Sequence, residues 1–258
     1  MNKIEQTLQS LYALEERSKQ NLWINQLHPL SKLLTCLSYV CIVVSFPKYA
    51  LFPLLAMGCY PLILMTLSHL SFKSCIQQLR ILFLLVCLVG VFNPLFDRLI
   101  LFRVGPFFMT TGMLSMLTLL LKGIFSILAS YLLIATTSIE EICFALKLLH
   151  IPNCFTCILL LSYRHFIMFL SELSQMLEAY HLRALHQKGI HLKAWGSFAG
   201  HFLLRSLDRA NEIYESMILR GFQGSLTLSP LYPPSPLNIL YPFIWLTLFL
   251  ICRLILCK

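Results

Sequence analysis

Full charges are scarce in this sequence: only 12% of its 258 residues are Asp, Glu, Lys or Arg, while 58% are hydrophobic. A soluble domain carries about twice that share of charge, so the composition excludes an ordinary water-soluble fold, as does a mean hydropathy of +0.76. Other absences narrow the function. There is no GxxxxGK[ST] phosphate loop, so the chain cannot cradle ATP in that way. No HExxH and no paired acids stand inside an apolar block, which leaves a membrane-embedded enzyme without its machinery. No apolar block holds the acidic or histidine cluster of a proton relay. The apolar blocks also show no internal repeat, against a self-sufficient secondary transporter built from inverted halves. Residues 1–29 carry Glu5, Glu15, Glu16, Arg17 and Lys19 and no apolar run ahead of a small-residue cleavage site, so no secretory signal is expected there.

What remains is arranged in long apolar blocks. From Leu33 to Leu70 the only full charge is Lys48, beside Pro47, which reads as two spans of about 18 residues joined by a tight turn. A third span runs from Leu79 to Phe96 and stops at Asn93-Pro94 with Asp97 and Arg98 beyond, since proline and charge mark helix ends. A fourth extends from Gly105 to Ser138 with Lys122 as its one charge, and a fifth from Leu237 to Leu256. Cys36, Cys41, Cys59, Cys87 and Cys252 fall inside these blocks and read as small hydrophobic packing residues. Cys154 and Cys157 form one CxxC without a second pair, so no metal centre is expected. Trp23, Tyr49, Tyr241 and Trp245 near the span ends suit an aromatic belt. His28 and His69 are expected at headgroup level.

Residues 139–236 differ, holding most of the acidic residues. With the N-terminus inside, Lys3, Arg17, Lys19, Lys32, Lys73, Arg80, Lys147, Arg164, Arg183, Lys188, Lys193, Arg205, Arg209 and Arg220 are cytoplasmic, and only Lys48, Arg98, Arg103, Arg253 and Lys258 are external. That asymmetry follows the positive-inside rule. It also accounts for the net charge of +9 without a nucleic-acid partner. The predicted architecture is an all-α integral membrane protein of about five transmembrane helices. Its divisions are an N-terminal cytoplasmic or interfacial segment (1–29), four spans (30–138), a cytoplasmic domain of amphipathic helices (139–236) and a fifth span (237–258).

Within the cytoplasmic stretch, Ser138 and Glu141 form a capping-box pattern for a helix that stops before Pro152. A second helix, Arg164 to Ala184, sets Phe166, Phe169, Leu170, Leu173, Met176, Leu177 and Tyr180 on one face and Glu172, Gln175 and Glu178 on another. The pattern breaks around Gly189 to Gly200, and a third helix runs from His201 to Arg220, with Leu203, Leu207, Ala210, Ile213, Tyr214 and Met217 on one side. His181, His186 and His191 recur every five residues, which does not place them on one helical face as a metal pair requires.

The two long helices end alike. Leu182-Arg183-Ala184 and Leu219-Arg220-Gly221 are offset by 37 residues and each closes an amphipathic helix. Arg at a helix C-terminus complements the macrodipole, and Gly221 suits the left-handed position that ends a helix. An arginine there also offers a rigid fork of donors to a carboxylate on another protein.

Four segments in order, His28-Pro-Leu-Ser-Lys32, Asn93-Pro94-Leu-Phe-Asp97, Thr136-Thr137-Ser138-Ile-Glu140-Glu141 and Ser216-Met217-Ile-Leu-Arg220-Gly221-Phe222, resemble the CbiQ/EcfT family, the transmembrane T components of energy-coupling-factor (ECF) ABC importers. The resemblance covers nearly the whole chain. It implies an L-shaped, non-catalytic subunit with a membrane part and a coupling part, which binds no cofactor itself, ATP and Mg being held by its partners. Leu182, Arg183 and Ala184, with Leu219, Arg220 and Gly221, would dock two ABC ATPase subunits, and a separate substrate-binding membrane S component would bring cobalt, nickel or a vitamin. Ala184 stands where the family's Ala-Arg-Gly form has glycine. Lys122 is expected to snorkel or to pair with a backbone carbonyl, or else to grip the substrate-binding partner.

Overall fold

In hydrocarbon every backbone N–H and C=O must be satisfied within the segment, which drives long apolar blocks into helices. The structure, a computed structural model, describes residues 24–25, 27–47, 50–68, 72–96, 100–104, 107–183, 191–224 and 236–256. In chain order its elements are α1 (Pro29–Ser45), α2 (Leu51–Met57), α3 (Cys59–Leu67), α4 (Phe72–Phe96), β1 (Ile100–Val104), β2 (Phe107–Thr110), α5 (Thr111–Thr136), α6 (Ile139–Leu148), α7 (Asn153–Arg183), α8 (Leu192–Leu219) and α9 (Pro236–Leu256).

This is an all-α membrane protein with one addition. β1 and β2 form an antiparallel hairpin in which Val104 faces Phe107 and Ile100 faces Thr110, with an irregularity between Ile100 and Phe102. The fourth block therefore does not enter a helix at Gly105 as expected. Its helix starts at Thr111, because Gly105-Pro106 is a turn signal and Pro lacks the N–H a helix needs. The second block is also divided, at Gly58. A Cβ there would lie 2.7 Å from the Phe125 ring, so the small residue admits α5. Among the described residues α5 and α7 are long and apolar enough to cross a membrane, and α1, Leu51–Leu67 and Leu240–Ile255 are shorter apolar helices. α7 meets that test although its sequence falls in the stretch assigned to the cytoplasm, since Arg164 is the only full charge between Asn153 and Ser171.

The chain divides into two units at Ser138/Ile139, α6–α8 forming one and the helices on either side the other. In the larger unit α1 and α5 run antiparallel and cap each other. Lys32 on α1 donates to Thr136 O at the end of α5, 3.0 Å away. Lys122 on α5 donates to Phe46 O at 2.5 Å and Val44 O at 3.2 Å, at the end of α1. Each ammonium so meets terminal carbonyls that have no partner inside their own helix. For Lys122 this is the backbone pairing expected. Lys32 is only 5% exposed and also bonded to Asn25 O at 3.0 Å. α4 approaches α5 through glycine: a Cβ on Gly123 would sit 2.6 Å from Val86 Cγ1, the close contact that small residues allow between membrane helices.

Tyr241 and Trp245 are both partly buried. α9 turns them inward, where Trp245 meets Tyr60 edge-on at 4.7 Å and lies 5.6 Å from Phe249, and Tyr39 lies 4.6 Å from Tyr60 and 5.2 Å from Phe249. Tyr39 resolves its polar end by donating to Met57 O at 3.1 Å, where the α2–α3 break leaves a carbonyl. Trp23, Tyr49 and His69 lie outside the described residues. Cys36 and Cys75 are buried as packing residues, whereas Cys41, Cys59 and Cys87 are exposed.

Candidate functional site

The smaller unit is built from helices whose ends are explicitly closed. α6 has Glu140 and Glu141 in its first turn and Lys147 in its last, the charge order its dipole favours. It ends in a Schellman motif: His150 takes φ 61°, its N–H bonds to Lys147 O at 3.1 Å, and Ile151 N–H bonds to Leu146 O at 3.4 Å. Pro152 then prevents continuation, and α7 starts at Asn153, eleven residues before the predicted Arg164. α8 starts at Leu192 rather than His201. Its glycines did not delay it: nothing lies within 4 Å of a Cβ at Gly196 or Gly200.

α7 and α8 pair antiparallel. His191 N–H donates to Tyr180 Oη at 3.2 Å, Phe169 meets Phe202 edge-on at 6.2 Å, and Arg205 pairs with Glu172 at 3.1 Å. Arg209 reaches Met168 Sδ at 3.7 Å and Glu212 at 2.8 Å. α8 thus meets α7 through both a ring contact at Phe202 and the arginines Arg205 and Arg209. Of its apolar residues Leu203, Leu207, Tyr214 and Ile218 are each at least half exposed, while Ile213 and Met217 are partly buried. No residue of α8 is buried among those described.

The two arginine ends lie at opposite extremes of this pair. Arg183 is the last residue of α7 and Arg220 follows the last residue of α8. With the helices antiparallel and α8 28 residues long, the arginines are separated by roughly 40 Å at 1.5 Å per residue. Both are exposed, as are Leu182 (73%) and Leu219 (88%). Their surroundings differ. Arg183 lines a groove of about 510 Å³ with Tyr180, His201, Arg205 and Asp208. Arg220 belongs to a Schellman turn in which Phe222 N–H bonds to Met217 O at 3.0 Å and Gly221 N–H to Ile218 O at 2.9 Å. Gly221 sits at φ 81° with nothing within 4 Å of where a Cβ would be, so glycine is required there by backbone conformation and not by crowding. Ala184 and His186 lie outside the described residues.

Of the CxxC, Cys154 is exposed and Cys157 buried. Among the described residues no three His, Cys, Asp or Glu side chains converge as metal ligands. Lys32 is the residue whose role the sequence concealed. It lies within the first quoted segment, yet its partners are carbonyls 7 and 104 residues away, which no local pattern signals.

A family model described as CbiQ, cobalt transport protein, matches residues 20–230. No curated protein matches the chain.

Proposed function

This chain belongs to the CbiQ family of cobalt transport proteins, and from that membership we propose that it is the transmembrane coupling subunit of an ECF-type ABC importer. In this reading the N-terminus and α6–α8 face the cytosol. Leu182-Arg183-Ala184 and Leu219-Arg220-Gly221 each insert into a groove of one ABC ATPase subunit, which holds the ATP and Mg. The observation that carries the proposal is the spacing of the two exposed arginines. Roughly 40 Å apart on an antiparallel pair, they cannot enter one groove but can grip two copies of a partner. A guanidinium at a helix end, beside an exposed leucine, suits bidentate capture of a carboxylate.

The exposed apolar residues of α8 support a second contact. A membrane S component that captures cobalt, nickel or a vitamin would cover Leu203, Leu207, Tyr214 and Ile218. When the ATPases close on ATP they carry the arginine ends with them, and the α7–α8 pair acts as the lever that reshapes the S-component surface. The physical requirement is a two-state element whose balance nucleotide biases.

The test is co-purification of the complex and nutrient uptake with an Arg183→Ala, Arg220→Ala double variant. Each substitution is expected to weaken ATPase binding by about 2 to 5 kcal/mol and to abolish uptake. Tight co-purification with normal uptake would refute the reading.

A further inference from the structure

The α1–α5 pair is closed by a lysine at each end, and the two differ in depth. Lys122 is partly exposed, whereas Lys32 is buried together with Asn25 (4% exposed) and Thr136 (7%), whose carbonyls it holds. The buried end is also where the chain leaves the larger unit. α5 stops at Thr136 and α6 starts at Ile139. Among the described residues the crossing between the units falls at Ser138/Ile139, so only Thr137 and Ser138 stand between the carbonyl that Lys32 holds and the smaller unit. Thr137 is itself buried.

We propose that Lys32 is a positioning residue for coupling, which pins the last turn of α5 so that a pull from α6–α8 shifts α5 and α1 together. The inference rests on the coupling role proposed above. A helix end frays because its last carbonyls lack partners within the helix, and a pull on a loose end is absorbed by unwinding. An ammonium removes that slack. It carries three donors, its bonds to carbonyls are charge-assisted, and it stands at the negative pole of α5. From one root on α1 it reaches Thr136 O and Asn25 O at 3.0 Å each, which ties the α5 end to α1 and to the segment before α1. Burial strengthens both bonds by keeping water away from them. α1 can pass the load on, because Cys36, Tyr39 and Val43 pack in one core cluster with Leu54, Ala129 of α5 and Phe249 of α9.

Two hydrogen-exchange measurements test this, with Lys122→Met as the control that removes the same chemistry from the far end of the same helix pair. In the full chain alone in a mild detergent, Lys32→Met is expected to speed exchange at residues 133–138 by about tenfold or more. Lys122→Met leaves that segment as it is. In the complex with its ATPases, ATP is expected to change the protection of both α6–α8 and α1 in the parent and in Lys122→Met, but of α6–α8 alone in Lys32→Met. Lys32→Gln keeps a neutral donor, falls between, and carries the comparison if the Met variant does not fold. Unchanged exchange at residues 133–138 in Lys32→Met overturns the pin, as does a rise spread evenly over the chain, the mark of general loosening. An α1 that still answers ATP in Lys32→Met overturns the link to coupling. If ATP leaves α6–α8 of the parent unaltered, the coupling role itself falls and takes that link with it, whereas the result on the chain alone stands or falls by itself.

Discussion

The two units solve opposite problems with similar residues. In the larger one, aromatic rings from α1, α3 and α9 turn inward and Tyr39, Phe249 and Leu54 are fully buried. In the smaller one, Leu203, Leu207 and Tyr214 of α8 stay exposed while Arg205 and Arg209 bridge toward α7. A unit that buries its bulk holds its own shape. A unit that leaves both its ion pairs and much of its apolar stripe at the surface, with Arg205 61% and Arg209 49% exposed, depends less on its own core for its shape.

That contrast can be broken by substitution. The largest effect is expected at Phe249→Ala, which opens a cavity among three rings, Tyr39, Tyr60 and Trp245, and costs about 3 to 5 kcal/mol, read as thermal unfolding in detergent. Leu203→Ala should change the same unfolding by no more than about 0.5 kcal/mol; if it costs as much as Phe249→Ala, Leu203 is not bare. Next is Lys122→Met, which strips the donor from Phe46 O and Val44 O and costs about 1 to 3 kcal/mol. Lys122→Arg keeps a donor and should restore most of it, whereas an unchanged melting temperature for the Met variant would assign the lysine some other role. Smaller still are two opposed changes at helix ends. His150→Gly relieves a left-handed non-glycine residue and gains about 0.5 to 1 kcal/mol, while Gly221→Ala loses about as much. Same-sign shifts would contradict the two turns. The smallest is a rate, not a stability. Cys143 is fully buried, and burial, then the Glu140 carboxylate, push its thiol above the usual value. Maleimide should therefore label exposed Cys154 while sparing Cys143 in the folded protein, since only the thiolate reacts. Equal rates would mean that the α6–α8 unit lacks even its small core.

Some of this was legible in the sequence for physical reasons. Gly221 reads as a helix terminator because few residues tolerate its conformation, and the paired Leu-Arg ends stand out because charge is rare in this chain. The facing of the spans was not legible. In an apolar block the core side and the lipid side share one composition, so Tyr241 and Trp245 read equally well as a surface belt or a buried cluster. The partners of Lys32 and Lys122 are set by helix pairing between segments far apart in sequence, and the left-handed turn at His150 depends on a residue type that usually avoids it. The α7–α8 pairing was invisible for a related reason. Periodicity showed that each helix has an apolar face and a charged face, but not which of them faces its neighbour.

The most direct test of the coupling role places a photo-crosslinking residue in turn at Leu182, Leu219 and Leu203 in the assembled transporter. The account predicts ATPase adducts at Leu182 and Leu219 and a membrane-protein adduct at Leu203. ATPase adducts at Leu203, with none at the two helix ends, would contradict it.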